Sequence, residues 1–409
     1  MPIDLTKIPQ PLEPPKGMKL LRWGILLLVF MATGSLTTLG VSRFCPLSDF
    51  WFWFLLLAAP FLLWLLSFFY GIYVSGYRDY YVEQWNKRCE QRRQELINLG
   101  QKPLLLLENI VFTQHGTAGH ARRIIKGQTV LQAQVPSSGG MPIPHSALPL
   151  KTGQSSSDHK GRLENIFDEL KPGLMGKISS VRKGHPLHLR LFIDTKLERN
   201  EVVNIFRNSF NGADFTSVIA VPCEESETYL DGWLNDPKND NALLCVIGCR
   251  LFELPTDNDA EAVVALLMAG EKAFKKIKDK SSDNKSDSPI AISRTERQTD
   301  ITRLFDNALL WGNFVDEKLG TVWTSDITPE MNASLATYLN ERGLDAGETY
   351  NMDSSIGHAG GIAYWLTIAV AAEHAKSADE KQFVICGQSQ TAALVVSKYK
   401  MGEAVKETA

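Results

Sequence analysis

Two long uncharged apolar runs near the start of the chain set the first limit on what it can fold into. Residues 23–42 hold no ionisable side chain, and residues 50–77 hold none besides tyrosines, with Asp49 just outside. At ~1.5 Å of rise per residue, either run, as a helix, is long enough to cross a ~30 Å hydrocarbon core. Lys7, Lys16, Lys19 and Arg22 precede the first run, and Arg78, Lys87, Arg88, Arg92 and Arg93 follow the second. The loop between them carries only Arg43 and Asp49. Lys and Arg therefore flank the hairpin on one side, which positive-inside bias assigns to the cytoplasm. The expectation is a multi-pass protein of the inner (cytoplasmic) membrane, with the lipid bilayer as its first partner and both termini and the large C-terminal part cytoplasmic. A signal peptide is the rival reading of the first run, but the run is too long for an h-region and a second span follows at once.

Neither span contains a charge, so neither suggests an ion or proton path. An anchor or an assembly surface fits better than a transporter. Pro60, mid-span, predicts a kink, and Trp51, Trp53, Tyr70, Tyr73 and Tyr77 stand where an interfacial aromatic belt belongs. Gly34, Ser35, Thr37, Thr38 and Gly40 are small enough for close helix packing, or simply fill the span.

The net charge of −3 excludes a broadly basic nucleic-acid binder. The cysteines, at 45, 89, 223, 245, 249 and 386, have no C-x-x-C spacing, and a cytoplasmic domain keeps them reduced. Only Cys45 would face the far side. His115 and His120 lie five apart in a glycine-bearing loop with no visible third ligand, so they read as loop residues and no metal or cofactor is called for. No P-loop, dinucleotide fingerprint, zincin helix or EF-hand loop is present. Gly387-Gln388-Ser389-Gln390-Thr391 lacks the last glycine of a nucleophile elbow and precedes a strand rather than a helix.

After a cytoplasmic tail (1–22), the hairpin (23–77) and a helical stalk (78–103), the chain alternates strands and helices. Strands are expected at 104–112, 187–194, 215–221, 242–252, 319–324, 382–386 and 392–398. Helices are expected at 165–175, 198–209, 225–234, 329–342 and 357–375, and 260–269 is apolar apart from Glu261. Residues 136–160 read as a long loop and 275–297 as a polar linker. The fold class is α/β, with a first half at 104–274, a second at 298–400 and a tail at 401–409.

The second half carries a resemblance. Ser355-Ile356-Gly357-His358-Ala359-Gly360-Gly361 heads an apolar helix and is similar to the glycine–histidine segment of β-ketoacyl synthases, in the thiolase-like superfamily. Ile385-Cys386-Gly387-Gln388-Ser389-Gln390-Thr391-Ala392 resembles that family's closing hairpin, in the same order and spacing. Thr321-Val322-Trp323-Thr324-Ser325-Asp326 stands where the family has its first histidine loop. The resemblance spans about 105 to 400 and implies two related α/β halves and a homodimer.

The departures bear on function. Decarboxylative condensation needs a cysteine thiolate at a helix N-terminus and two histidines that steady the enolate. Only His358 remains of the histidines. Cys223 lies near the nucleophile position, but Glu224 and Glu225 follow it and disfavour a thiolate. The expected function is therefore a non-catalytic, pseudoenzyme-like scaffold in a membrane complex with protein partners. Its layout is similar to accessory inner-membrane proteins of type VI secretion clusters. The competing class is a membrane-tethered acyl-transfer or condensing enzyme using Cys223 and His358.

Overall fold

The computed structural model describes residues 3–399 apart from 16, 18, 45–47, 138, 183, 281–287, 315–318, 345–346 and 388–389. Cys45, Gln388, Ser389 and the 401–409 tail thus lie outside the described residues. The chain divides into two compact units, one spanning Asp4–Leu96 and one from Ile97 onward.

In the first unit the apolar runs are helices α1 (Leu20–Ser42) and α2 (Asp49–Gly100). Only 6% of each apolar window is buried, so neither is the core helix of a soluble fold. The stretch read as a stalk is the direct continuation of α2. Pro60 acts through the turns before it, because Phe54–Ala58 is a π-helical segment within α2. Proline lacks an N–H and clashes with the carbonyl four residues back, and a π turn absorbs both faults. The hairpin closes on small residues. A Cβ at Gly34 would lie 2.1 Å from Pro60 Cγ, and one at Gly71 would lie 2.3 Å from Trp23 Cζ2. Thr38 is buried, while Gly40 faces open space, so the small residues divide between the contact and the outer surface. The Trp64 indole donates to the Trp23 carbonyl at 3.0 Å.

In the second unit β1 (Leu104–Phe112) is followed by the short helix α3 (His120–Ile125). The long helix α4 (His159–Val181), β2 (Leu187–Asp194), α5 (Arg199–Ser209), β3 (Ser217–Ala220), α6 (Ser226–Leu234), β4 (Leu243–Arg250) and β5 (Ala262–Ala269) come next. After α7 (Glu271–Lys280) come β6 (Ile290–Ile292), α8 (Ile301–Trp311), β7 (Leu319–Ser325), α9 (Pro329–Glu341), β8 (Thr349–Asn351), α10 (Ala363–Ser377), β9 (Lys381–Cys386) and β10 (Ala392–Lys398).

Both halves repeat one topology. The sheet order is β8-β7-β9-β10-β6-β1-β5-β4-β2-β3, so each half runs third, second, fourth, fifth, first. The second, third and fourth strands are parallel in each half, and the fifth pairs antiparallel with its neighbours. The halves join where β1 pairs antiparallel with β6, Leu104 opposite Ile292. Strand alternation then builds layers. On β4, Leu244 and Val246 face an inner core, and Leu243, Cys245 and Ile247 face an outer one with α4 and α5. On β9 and β10, Val384 and Leu394 join the same inner core, and Phe383 and Val395 face α8 and α9. Helices α6 and α10 fill the inner core, and residues 363–372 of α10 are buried on every side because strands of both halves pack against the helix.

Three stretches depart from the sequence reading. Residues 136–160 are not one long loop. Ile143–Ser146 is a strand that pairs with Asp259–Ala260, and α4 begins at His159. The buried Arg162–Glu261 pair, 2.5 Å apart, holds this stretch down, because Glu261 also accepts the amides of Leu148 and Phe252. The polar 275–297 stretch belongs to α7 as far as Lys280 and contains β6, because Ala273, Phe274 and Ile277 pack on the outer core. The sequence reading passed over α8, although Leu304, Phe305, Ala308 and Leu309 recur at helical spacing behind the Asp300 cap.

Candidate functional site

The strands β2, β4, β7 and β9 end at Asp194, Arg250, Ser325 and Cys386, and the site is built from these ends and the entries to α6 and α10. Cys223 opens a single 3₁₀ turn, Cys223–Glu225, that leads into α6. This turn is in contact with the 3₁₀ turn Gly360–Ile362 that leads into α10. The first residue of α6, Ser226, is fully buried and donates its hydroxyl to the Gly361 carbonyl at 2.9 Å. Sequence reasoning missed Ser226, because its partner, the Gly361 carbonyl, lies 135 residues away in sequence.

The Cys223 thiol packs against the inner core, and burial pushes its pKa up to about 12, with the Asp194 and Glu224 carboxylates adding to the shift and Arg199 opposing it. At neutral pH it is a thiol, the form that does not attack carbonyls. Arg250, a cation at this end of the sheet, is already engaged. Its Nη1 donates to the His358 carbonyl at 2.5 Å, its Nη2 to Asp259 at 2.7 Å, and its Nε lies 3.6 Å from Asp194. Gly360, at φ +51°, makes room for this pair, since a Cβ there would meet both Arg250 and Asp194 at 2.9 Å.

His358 is fixed by its backbone. Its N–H donates to Asn258 O at 2.6 Å, and its carbonyl accepts from Ala260 N at 2.9 Å. The imidazole is half-exposed and points to carboxylates. Nδ1 lies 3.9 Å from Asp326 Oδ1 and 4.0 Å from Asp353 Oδ1. Asp353 Oδ2 accepts the Asp326 amide at 2.6 Å, and its buried Oδ1 accepts no hydrogen bond. Burial raises the Asp353 pKa and the Asp326 charge adds to it, while the Asp326 amide and His358 oppose the rise. Asp326 itself sits at φ +53°, a strained conformation for a non-glycine residue. Gly387 allows the closing hairpin to approach it, because a Cβ there would lie 2.2 Å from the Asp326 carbonyl oxygen.

The structure therefore brings the entry turns of Cys223 and His358 into one region but gives their side chains different neighbours. Cys223 is set against Asp194 and Glu224, and His358 against Asp326 and Asp353. His120 is buried, within 3.3 Å of the Val111 carbonyl and 3.4 Å of Thr113 Oγ1, and burial lowers its pKa. Among the described residues no group of three or more His, Cys, Asp or Glu is placed to hold a metal ion. A shallow cavity of about 270 Å³ is lined by Ser137, Leu150, Gln154 and Glu253 among others, and no residue of either entry turn lines it.

No family model matches the sequence, and no curated protein matches it. Solved structures do resemble it in fold. A keto synthase–chain length factor, PfaC, aligns with a TM-score of 0.52 at 8% identity over 73% of this chain, which spans 43% of that protein. A type II polyketide ketosynthase in complex with its acyl-carrier protein aligns at 0.48 and 9% identity, over 73% of this chain and all of that one. A 3-oxoacyl-[acyl-carrier-protein] synthase III from Aquifex aeolicus aligns at 0.39 and 9% identity, over 72% of this chain and all of that one. The α/β unit has the thiolase-like fold of the ketosynthases, and two N-terminal apolar helices precede it.

Proposed function

We propose that this chain is a membrane-anchored, non-catalytic thiolase-like protein that serves as an assembly component of an inner-membrane complex, with a secretion-type assembly as the setting its layout suggests. One observation carries this reading: the Cys223 thiol is packed against the inner core, and the Asp194 and Glu224 carboxylates add to the effect of that burial. Condensation on this fold needs a thiolate and a stabilised enolate, both anionic. Here carboxylates face both the thiol and the remaining histidine, and Arg250 is engaged by Asp194 and Asp259. Such a site opposes the charges that the reaction develops.

The two apolar helices supply the anchor, and the basic residues at both outer ends favour placing the α/β unit in the cytoplasm. The resemblance implies a homodimer. In support, β3 is the last strand of the sheet order and its Ile219 is 48% exposed, a combination that suits pairing with a second copy. The competing reading, an acyl-thioester enzyme using Cys223 and His358, draws on the contact between the two entry turns.

Labelling decides between them. The detergent-solubilised chain is treated with an acyl-thioester analogue and, separately, with iodoacetamide, and the sites are mapped by mass spectrometry with Cys223→Ala as control. A thiol with a pKa near 12 carries ~10³-fold less thiolate at neutral pH than one near 8.5. Cys223 should therefore alkylate about three orders of magnitude more slowly than a free thiol and acquire no acyl group. Selective, substrate-protected acylation at Cys223 would sink the non-catalytic reading.

A further inference from the structure

The residues that precede α1 lie along α2 as an extended strap. Half of residues 8–15, Ile-Pro-Gln-Pro-Leu-Glu-Pro-Pro, are prolines. Ile8 has φ −73° and ψ 129°, close to polyproline II, a helix that leaves its backbone groups unpaired. Two neighbouring side chains of α2 satisfy three of those groups. The Trp85 indole N–H donates to the Gln10 carbonyl at 3.4 Å. The Asn86 carboxamide accepts the Leu12 N–H at 2.8 Å and donates to the Leu12 carbonyl at 3.0 Å. Leu12 is flanked by Pro11 and lies within a Pro11-x-x-Pro14 spacing, and Tyr81, one turn before Trp85, stacks on it with ring centroids 6.4 Å apart.

Proline-rich extended segments are generally recognised by aromatic side chains, and here the stacked Tyr81–Trp85 pair supplies an indole donor to a strap carbonyl, beside an asparagine that takes both polar groups of Leu12. We infer that this face of α2, centred on Trp85 and Asn86, is a polyproline-binding surface whose occupant is the chain's own residues 8–15. The ligand class is a proline-rich extended peptide. The strap ties residues 74 apart in sequence. Pro11, Leu12, Glu13 and Pro14 remain exposed in the bound strap, so few contacts beyond these hydrogen bonds hold it. A tether of this kind presents its segment at an effective concentration in the ~mM range, and modest intrinsic affinity is enough.

The test uses a fluorescent peptide copying residues 8–15. It should bind the full-length chain lacking only residues 4–15, and bind the intact chain at least ~10-fold more weakly, since there the tethered strap competes. Asn86→Ala in the strap-less chain should weaken binding by about the same factor, and Gln91→Ala should not. A peptide that ignores the strap-less chain, or that binds both chains equally, overturns the proposal. Hydrogen–deuterium exchange on the intact chain covers the case in which the deletion misfolds. The Leu12 amide should be protected, and Asn86→Ala should remove that protection. Leu12 protection that disappears on dilution would place the strap on a second copy and overturn the cis assignment.

Discussion

Asp353 shows how a single carboxyl records the character of this site. Its folded pKa is raised, first by burial and then by the Asp326 charge. A carboxyl raised above its unfolded value holds its proton better in the native state, so its contribution to stability is fully present below the unfolded value, about 3.9, and is lost as pH rises through the folded one. Above that range the carboxyl costs the native state stability, with one buried oxygen lacking a hydrogen-bond partner. Asp353→Asn keeps an oxygen for the Asp326 amide and removes the charge. The substitution should stabilise the protein by about 1 kcal/mol at pH 7 and by less at pH 4, checked by thermal melts at both values. An equal change at both pH values, or a loss at pH 7, removes the electrostatic explanation. At this scale the sequence revealed only part of the site. Cys223 and His358 announce themselves by residue type and by the motifs around them. Asp194, Arg250, Asp326 and Asp353 do not, since they become neighbours only when strand ends far apart in sequence meet at one end of the sheet.

Elements with a clear period were legible. Leu-His-Leu-Arg-Leu-Phe-Ile-Asp alternates, and β2 occupies those residues; the uncharged runs became α1 and the start of α2. Elements whose polar surface outweighs their apolar face were not. Lysine-rich α7 holds its place through Ala273, Phe274 and Ile277, too few apolar positions to stand out in a polar run. The small residues of α1 posed a question that composition could not answer, namely which of them face α2. The geometry separates them, and mutation can check it. Gly34→Leu forces side-chain atoms into Pro60 and should destabilise the hairpin by about 1–3 kcal/mol or splay its helices. Gly40→Leu meets open space and should leave it unchanged. Disulfide trapping between α1 and α2 in native membranes reads the difference, and equal trapping in the two variants would show that Gly34 is not at the contact.

The molecule-wide feature is that neither half of the α/β unit owns its inner core. The sheet order repeats between the halves, yet α10 belongs by sequence to the second half and packs on β1 and β5 of the first as well as on β9 and β10. Trp365 marks this sharing: fully buried on α10, it lies 5.1 Å, centroid to centroid, from Phe192 of β2. A duplicated fold with separate cores would unfold half by half, whereas a shared helix couples the halves into one cooperative unit. Trp365→Ala should therefore cost about 3–5 kcal/mol and raise hydrogen exchange in β2 and β4 as much as in β9 and β10. Phe305→Ala, which empties only the outer core under α8, should raise exchange chiefly in the second half. If Trp365→Ala loosens β9 and β10 while β2 and β4 keep their protection, the halves are energetically separate and the repeated topology is only a repeated shape. If all four strands loosen together, the buried α10 is what makes two α/β halves a single body, and that coupling does not depend on a working catalytic site.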